Sequence, residues 1–432
     1  MKFPFFLKTI LHNNLLKKII TLFSGSAAGQ LIIFATMPIL TRLFDEELFG
    51  IYILYSSTLL ILKPISSLNL ELSILLPKKN KDAINLFILN IITISIISFI
   101  IFISIVLFKS RILIFLKLTH IGNYIYIVPL SLLFISYTTA LEYWSNRSDH
   151  FKSISINIIS RSALMSSMQI GIGTSKYKMF GLIPGLIVSQ IFSLILLFKL
   201  NLHSLKVCRK HISWSRMYYL LFKYKNIPIF NTIVSFTNSI SNELPVILIT
   251  KYFGISPAGI YGLAAKVIKA PSGLIGYSVG QVFFNEASKN YNQGTGLTSL
   301  LKKTYRNLFY LSILIFLPVI IFSFYFQFIF GENWNDVGLY VRIICPWLFI
   351  AFINSPVTSL INILGVQKTF LFFDLALLFS RFIGLYFGYA FFNNIIFSLY
   401  FYSLTGFVFN IFFIFYFLKK VNVTDSINST KR

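Results

Sequence analysis

Acidic residues are scarce in this chain: 13 Asp and Glu stand against 38 Lys and Arg in 432 residues, and charged residues of either sign make up only 12%. So little charge cannot cover a water-soluble particle of this size, which excludes an ordinary soluble domain. Cysteine is nearly absent. Cys208 and Cys345 lie far apart and outside any metal or redox spacing, so neither a disulfide framework nor a thiolate metal centre is expected. His12, His120, His150, His203 and His211 fall in connections or tails, and no Gly-rich phosphate loop or nucleophile elbow occurs. No catalytic residue, metal or cofactor is expected. The formal charge of +25 would point to nucleic acid in a soluble protein, but here the placement of the bases decides, and no nucleic-acid partner is expected.

What is abundant is apolar sequence, 56% of all residues. Runs of roughly 18–25 apolar residues, the length that crosses ~30 Å of hydrocarbon, recur along the whole chain. Breaks at charged and turn-rich stretches give twelve spans, at 19–40, 49–68, 83–108, 121–141, 154–173, 180–200, 229–250, 258–284, 308–330, 338–362, 369–390 and 395–418. The expected fold is therefore an all-α polytopic membrane protein. The N-terminal stretch MKFPFFLKTILHNNLLKK is basic and amphipathic and lacks a small-residue cleavage site, so a cleaved signal peptide is not expected. With the N-terminus cytoplasmic, the loops on that side carry 25 Lys and Arg against 7 opposite. The positive-inside rule then places both termini in the cytoplasm, with Lys109, Arg111 and Lys117 as the stretch that argues against it.

One motif occurs twice. TRLFDEELFGIY at 41–52 returns as TKYFGISPAGIY at 250–261, a register of 209 residues. Each copy reads as a helix-loop-helix unit, and repetition at half-chain spacing implies a protein built twice. Six spans per half make the repeat parallel, with its pseudo-two-fold along the membrane normal. The expected organisation is an N-terminal six-helix lobe at 1–200, a basic cytoplasmic linker at 201–226 and a C-terminal six-helix lobe with a short basic tail at 227–432.

Six bases remain inside predicted spans: Lys63, Arg161, Lys266, Lys269, Arg342 and Arg381. The carboxylates well inside spans are Glu243 and Asp374. An ionisable side chain at mid-bilayer costs roughly 2.5 kcal/mol or more, so it faces protein or a wet cavity. Lys266 and Lys269 share a face near the middle of the eighth span, where Pro271, Gly273 and Gly276 can bend the helix around a ligand. Arg381 lies near the middle of the eleventh span, and Arg161 corresponds to it in the repeat if a short insertion is allowed. These four read as an anion-binding set, or else as interhelical pairs with Glu243 and Asp374. Lys63 and Arg342 lie near span ends; they read as further members of the substrate-binding set, or as bases that snorkel to headgroups. Glu243, two residues before Pro245, reads as a proton or cation coupling site or as a local salt bridge, and Asp374 as an ion-pair partner. Trp144, Trp334 and Trp347 read as interfacial anchors.

SGSAAGQLIIFATMPILTRLFDEELFGIYILYSS in the first half and GIYGLAAKVIKAPSGLIGYSVGQVFFNEASK in the second resemble the O-antigen (Wzx-type) flippases of the multidrug/oligosaccharidyl-lipid/polysaccharide exporter superfamily. The acidic turn at Asp45-Glu46-Glu47 departs from the Pro-containing turn common there, which Ser256-Pro257 keeps. The resemblance implies a MATE-like pair of lobes in the bacterial inner membrane. It also implies movement of an undecaprenyl-pyrophosphate-linked oligosaccharide to the outer leaflet by alternating access through a cationic cavity. Partners would be that lipid-linked oligosaccharide, membrane lipids and polysaccharide polymerase machinery. Competing readings are an O-antigen polymerase or polytopic glycosyltransferase, which would need a long outer loop, and a cation-drug antiporter, which would need carboxylates in the first span. Neither feature is present.

Overall fold

Every long apolar run folds as an α-helix, since in hydrocarbon a lone segment satisfies its backbone only that way. The computed structural model describes residues 14–115, 119–293, 296–355 and 357–430, with no strand among them. The N-terminal basic stretch up to residue 13 and Lys117 lie outside the described residues.

Helices α1 (Asn14–Leu43), α2 (Glu46–Ser67), α3 (Asn80–Phe115), α4 (Val128–Arg147), α5 (Phe151–Gly173) and α6 (Ile183–Cys208) correspond to the first six predicted spans, although the start of the fourth, expected from residue 121, forms the separate tighter turns Thr119–Ile127. The basic connection is itself largely helical: α6 runs to Cys208, and a ten-residue helix α7 (Trp214–Lys223) follows. Then come α8 (Thr232–Phe253), α9 (Ile255–Gln293), α10 (Leu297–Ser323), α11 (Asp336–Asn354), α12 (Gln367–Phe392) and α13 (Ile395–Thr430). Nine helices among the described residues are long and apolar enough to cross a membrane. The three span helices outside that set are α5, α8 and α9. Their polarity comes partly from Arg161, Glu243, Lys266 and Lys269, whereas Lys63, Arg342, Asp374 and Arg381 lie on helices within that set.

Both motif copies are the expected helix-loop-helix turns, made by different chemistry. In the first, Asp45 caps α2, its Oδ1 accepting the Leu48 amide at 2.9 Å. In the second, Gly254 turns the chain at φ 99° before α9 begins. The Gly-Ile-Tyr tyrosines, Tyr52 and Tyr261, are both buried.

Two compact units form, Met1–Lys251 and Tyr252–Arg432. In the first, α1 lies along α5, α5 along α6, and α4 against α3 and α6. Its core at one end joins Ile74, Ile84, Phe87, Leu141, Trp144, Leu197 and Leu220. Trp144 is fully enclosed there and donates its indole N–H to Ser204 Oγ at 2.9 Å. Trp334 and Trp347 are likewise buried. The anchor reading is therefore corrected for all three: their rings are buried inside the protein, where their large apolar area is removed from solvent and lipid together. In the second unit, α13 packs along α12 and α11, and α11 against α9 and α10.

Candidate functional site

Arg381 organises the C-terminal unit. It lies on the α12 face that also carries Gly384 and Gly388, at i+3 and i+7, and that face packs on α13. Without side chains at those glycines the two backbones come close, Gly384 lying over the Phe401 carbonyl and Gly388 over the Ser398 backbone. Arg381 is thereby drawn between two rings, its guanidinium carbon 4.4 Å from the Trp347 centroid on α11 and 5.2 Å from Tyr402 on α13. The two rings meet edge to face at 5.1 Å. Gly406, one turn beyond Tyr402, leaves the space the indole occupies: a Cβ there would stand 2.5 Å from Trp347 Cδ1.

A second cation reaches the same indole. Lys269 Nζ on α9 lies 6.0 Å from the Trp347 centroid. Lys269 and, one turn earlier, Lys266 are half-buried, whereas Arg381 is only 4% exposed. Asp374, two turns before Arg381 on α12, is also buried, and its Oδ2 has no hydrogen-bond partner among the described residues. The structure thus brings Lys269 and Arg381 together through a tryptophan. Aromatic faces attract cations by about 2 kcal/mol when desolvated, but they do not neutralise charge. An anion arriving beside these two would meet a buried guanidinium and a half-buried ammonium, in surroundings less polar than water that strengthen charge-assisted hydrogen bonds.

The remaining predicted residues lie elsewhere. Arg342 donates from Nη1 to Ser323 Oγ at 3.2 Å and stacks 4.2 Å from Phe324. Its charge therefore sits at the C-terminus of α10, a position the helix dipole favours. Arg161 is half-buried at the middle of α5. In the first unit Ser57 on α2 donates its hydroxyl to Glu243 Oε2 on α8 at 2.6 Å. Lys63, half-buried near the end of α2, acts electrostatically on Glu71.

Glu71 is a residue the sequence reading passed over. It sits in the short helical turn Leu70–Leu75 between α2 and α3, is 5% exposed, and accepts a hydrogen bond from Ser67 Oγ at 3.2 Å. The signal available was its apolar flanks in LNLELS, which give a carboxylate nowhere to reach water. Burial pushes its pKa up; the Lys63 charge and the Ser67 hydroxyl pull it partly back. A carboxyl whose folded pKa exceeds its unfolded value loses stability as pH rises from the unfolded value through the folded one. Glu71→Gln is therefore expected to leave the melting temperature unchanged near pH ~4, about the free carboxyl value, and to raise it at alkaline pH. A Gln variant that melts lower than wild type under alkaline conditions would mean that the ionised carboxylate stabilises the turn.

Tyr402 and Gly406 were also missed, and Trp347 was read only as an anchor, because no one-dimensional pattern tells which ring an arginine will stack on. The nearest signal is Gly406, four residues after Tyr402 within an apolar run.

Several solved structures share this fold. An inward-facing multidrug resistance MATE family transporter of the MOP superfamily aligns at TM-score 0.69 and 10% identity, over 94% of this chain and 95% of that one. The lipid II flippase MurJ in an inward closed conformation aligns at TM-score 0.71 and 15% identity, over 96% and 91%. An outward-facing MATE family transporter aligns at TM-score 0.60 and 11% identity, over 98% of each chain. At such identities the likeness carries the fold alone, and that fold is the MATE-like one the two sequence segments implied. No curated protein sequence matches the chain. A family match does exist: residues 39–338, which hold both copies of the repeated motif, match the family described as polysaccharide biosynthesis protein. That match covers well over half of the sequence, so the chain belongs to the polysaccharide biosynthesis protein family.

Proposed function

We propose that this chain is a flippase for a lipid-linked oligosaccharide, specifically an undecaprenyl-pyrophosphate-linked repeat unit of O-antigen type. It moves the unit from the inner to the outer leaflet of a bacterial inner membrane, with both termini cytoplasmic. The observation that carries this reading is the clustering of Lys269 and Arg381 on Trp347, with Lys266 one turn away, in a family of polysaccharide biosynthesis proteins. A pyrophosphate must cross hydrocarbon while its polyprenyl tail stays in it, and cations held inside a helical unit lower that barrier. Lys266, Lys269, Arg381 and, in the first unit, Arg161 are the proposed headgroup ligands. Glu243 and Asp374 are the acidic groups available to a coupling ion. The helices rearrange between inward-open and outward-open forms, and a polysaccharide polymerase takes up the delivered unit.

The test is a deletion strain with the other assembly genes intact. Lipid-linked repeat units are expected to accumulate, protected from periplasmic probes and accessible from the cytoplasmic face. Single units at the surface that are never joined would assign the chain to polymerisation and overturn the flippase reading.

A further inference from the structure

The helix α7 has two faces with different partners. Its inner face is bolted to the first unit. Met217 and Leu220 are buried, Leu220 within the core beside Trp144 and Ile84. Arg216 grips Asp82 on α3 with two bonds, Nε to Oδ1 at 2.8 Å and Nη2 to Oδ2 at 3.0 Å. Asn85 ties the preceding turn from both sides, donating to the His211 carbonyl at 2.9 Å and accepting the Ser213 amide at 2.8 Å. The helix is therefore fixed in rotation about its own axis.

That fixed rotation turns a second stripe outward. Trp214, Tyr218 and Phe222 recur every four residues, so they form one line along the helix. They are 73%, 67% and 53% exposed, and the Tyr218 and Phe222 rings lie 4.8 Å apart. Bases flank the line: Arg209, Lys210, Lys223 and Lys225 are exposed, with Lys223 lying 5.9 Å from the Tyr219 ring. From His150 to Asn242 the chain contains no Asp or Glu, so nothing of opposite sign comes from its own sequence neighbours. The connections to α6 and α8 are short, which keeps α7 at the level where those helices leave the bilayer. Aromatic rings with polar edges favour the headgroup layer, and a cluster of bases beside them favours an anionic one.

We propose that the outer face of α7 is a binding surface for anionic phospholipid in the cytoplasmic leaflet. Trp214, Tyr218 and Phe222 enter the interfacial layer, and Arg209, Lys210, Lys223 and Lys225 hold the lipid phosphates. The proposal stands on the membrane embedding and orientation of the chain and not on what it transports.

The full-length protein is reconstituted in nanodiscs of phosphatidylcholine with a minority of phosphatidylglycerol, the bromine label placed on one lipid or the other at equal mole fraction. The Trp214 contribution to quenching is the difference between the unsubstituted protein and Trp214→Phe. It is expected to be about twofold larger with the label on phosphatidylglycerol, because local enrichment follows the surface potential. Changing Arg209, Lys210, Lys223 and Lys225 to Gln should equalise the two labels without loss of the Arg216–Asp82 clamp. Equal quenching by both lipids in the unsubstituted protein would overturn the charge recognition. Absence of Trp214 quenching by either would place this face in water or under a protein partner, and would overturn the lipid surface altogether.

Discussion

With Lys266→Glu and Lys269→Glu combined, surface polysaccharide is expected to disappear while the protein still inserts at the unsubstituted level. The two lysines lie one turn apart on α9, and both are half-buried, hence open to an arriving ligand, while Arg381 waits more deeply beside the same indole. Reversal replaces two attractions for a phosphate oxygen by two repulsions. A hydrogen bond to a charged group is worth roughly 1.5–3 kcal/mol. Two lost contacts at the lower figure amount to about 3 kcal/mol, or ~100-fold, at 1.4 kcal/mol per decade. Repulsion adds to that. The pair Lys266→Gln and Lys269→Gln removes attraction only and should fall between the extremes. Surface polysaccharide is read by immunodetection on intact cells, and insertion by the amount of tagged protein in washed membranes. Normal polysaccharide from the Glu pair at equal protein would take both lysines out of the pathway.

The asymmetry behind that prediction is visible in the repeat. In the register of 209 residues, Ser57 stands where the second copy has Lys266, and Leu60 where it has Lys269. The structure gives Ser57 a different task, holding the Glu243 carboxylate through its hydroxyl. The sequence motif is duplicated while the charge is not. Such long-period features were legible because they depend on chain length, apolar run length and base placement, each a property of sequence alone. The helices themselves were legible for the same reason, down to α3, whose backbone leaves helical geometry at Phe108, where the third span was expected to end. What could not be read was side-chain destination. Trp347, inside the tenth predicted span, reads as an anchor until α13 is placed beside it, where Gly406 makes room for the indole. Arg381 has several aromatic residues near it in sequence, yet the rings it stacks on are 34 residues before and 21 after. Linker helix α7 was read as a charged connection, because its ten residues, set among bases, are too short to register as a span.

Gly388→Leu is expected to prevent the C-terminal unit from folding, and Gly388→Ala to destabilise it despite making α12 a better helix. Alanine in place of a helical glycine gains roughly 0.5–1 kcal/mol from backbone entropy. At this position the added Cβ would overlap the Cα and amide nitrogen of Ser398 on α13. Backbone cannot step aside as a side chain can, so α12 and α13 must separate, and overpacking of this kind costs about 1–3 kcal/mol, occasionally more. The clash therefore outweighs the propensity gain, and three further heavy atoms in leucine leave no arrangement with the two helices in contact. Separation also withdraws Arg381 from Tyr402, so polysaccharide export in the Ala variant should fall further than its protein level. The melting temperature of the purified protein and its amount in membranes read the first effect, and surface polysaccharide per unit of protein reads the second. Ser398→Gly supplies the decisive control. Because the overlap is with Ser398 backbone atoms as well as its hydroxyl, removing the side chain should not restore Gly388→Ala. Full rescue by Ser398→Gly would show that only the hydroxyl was in the way and that the close backbone approach does not hold Arg381 in place.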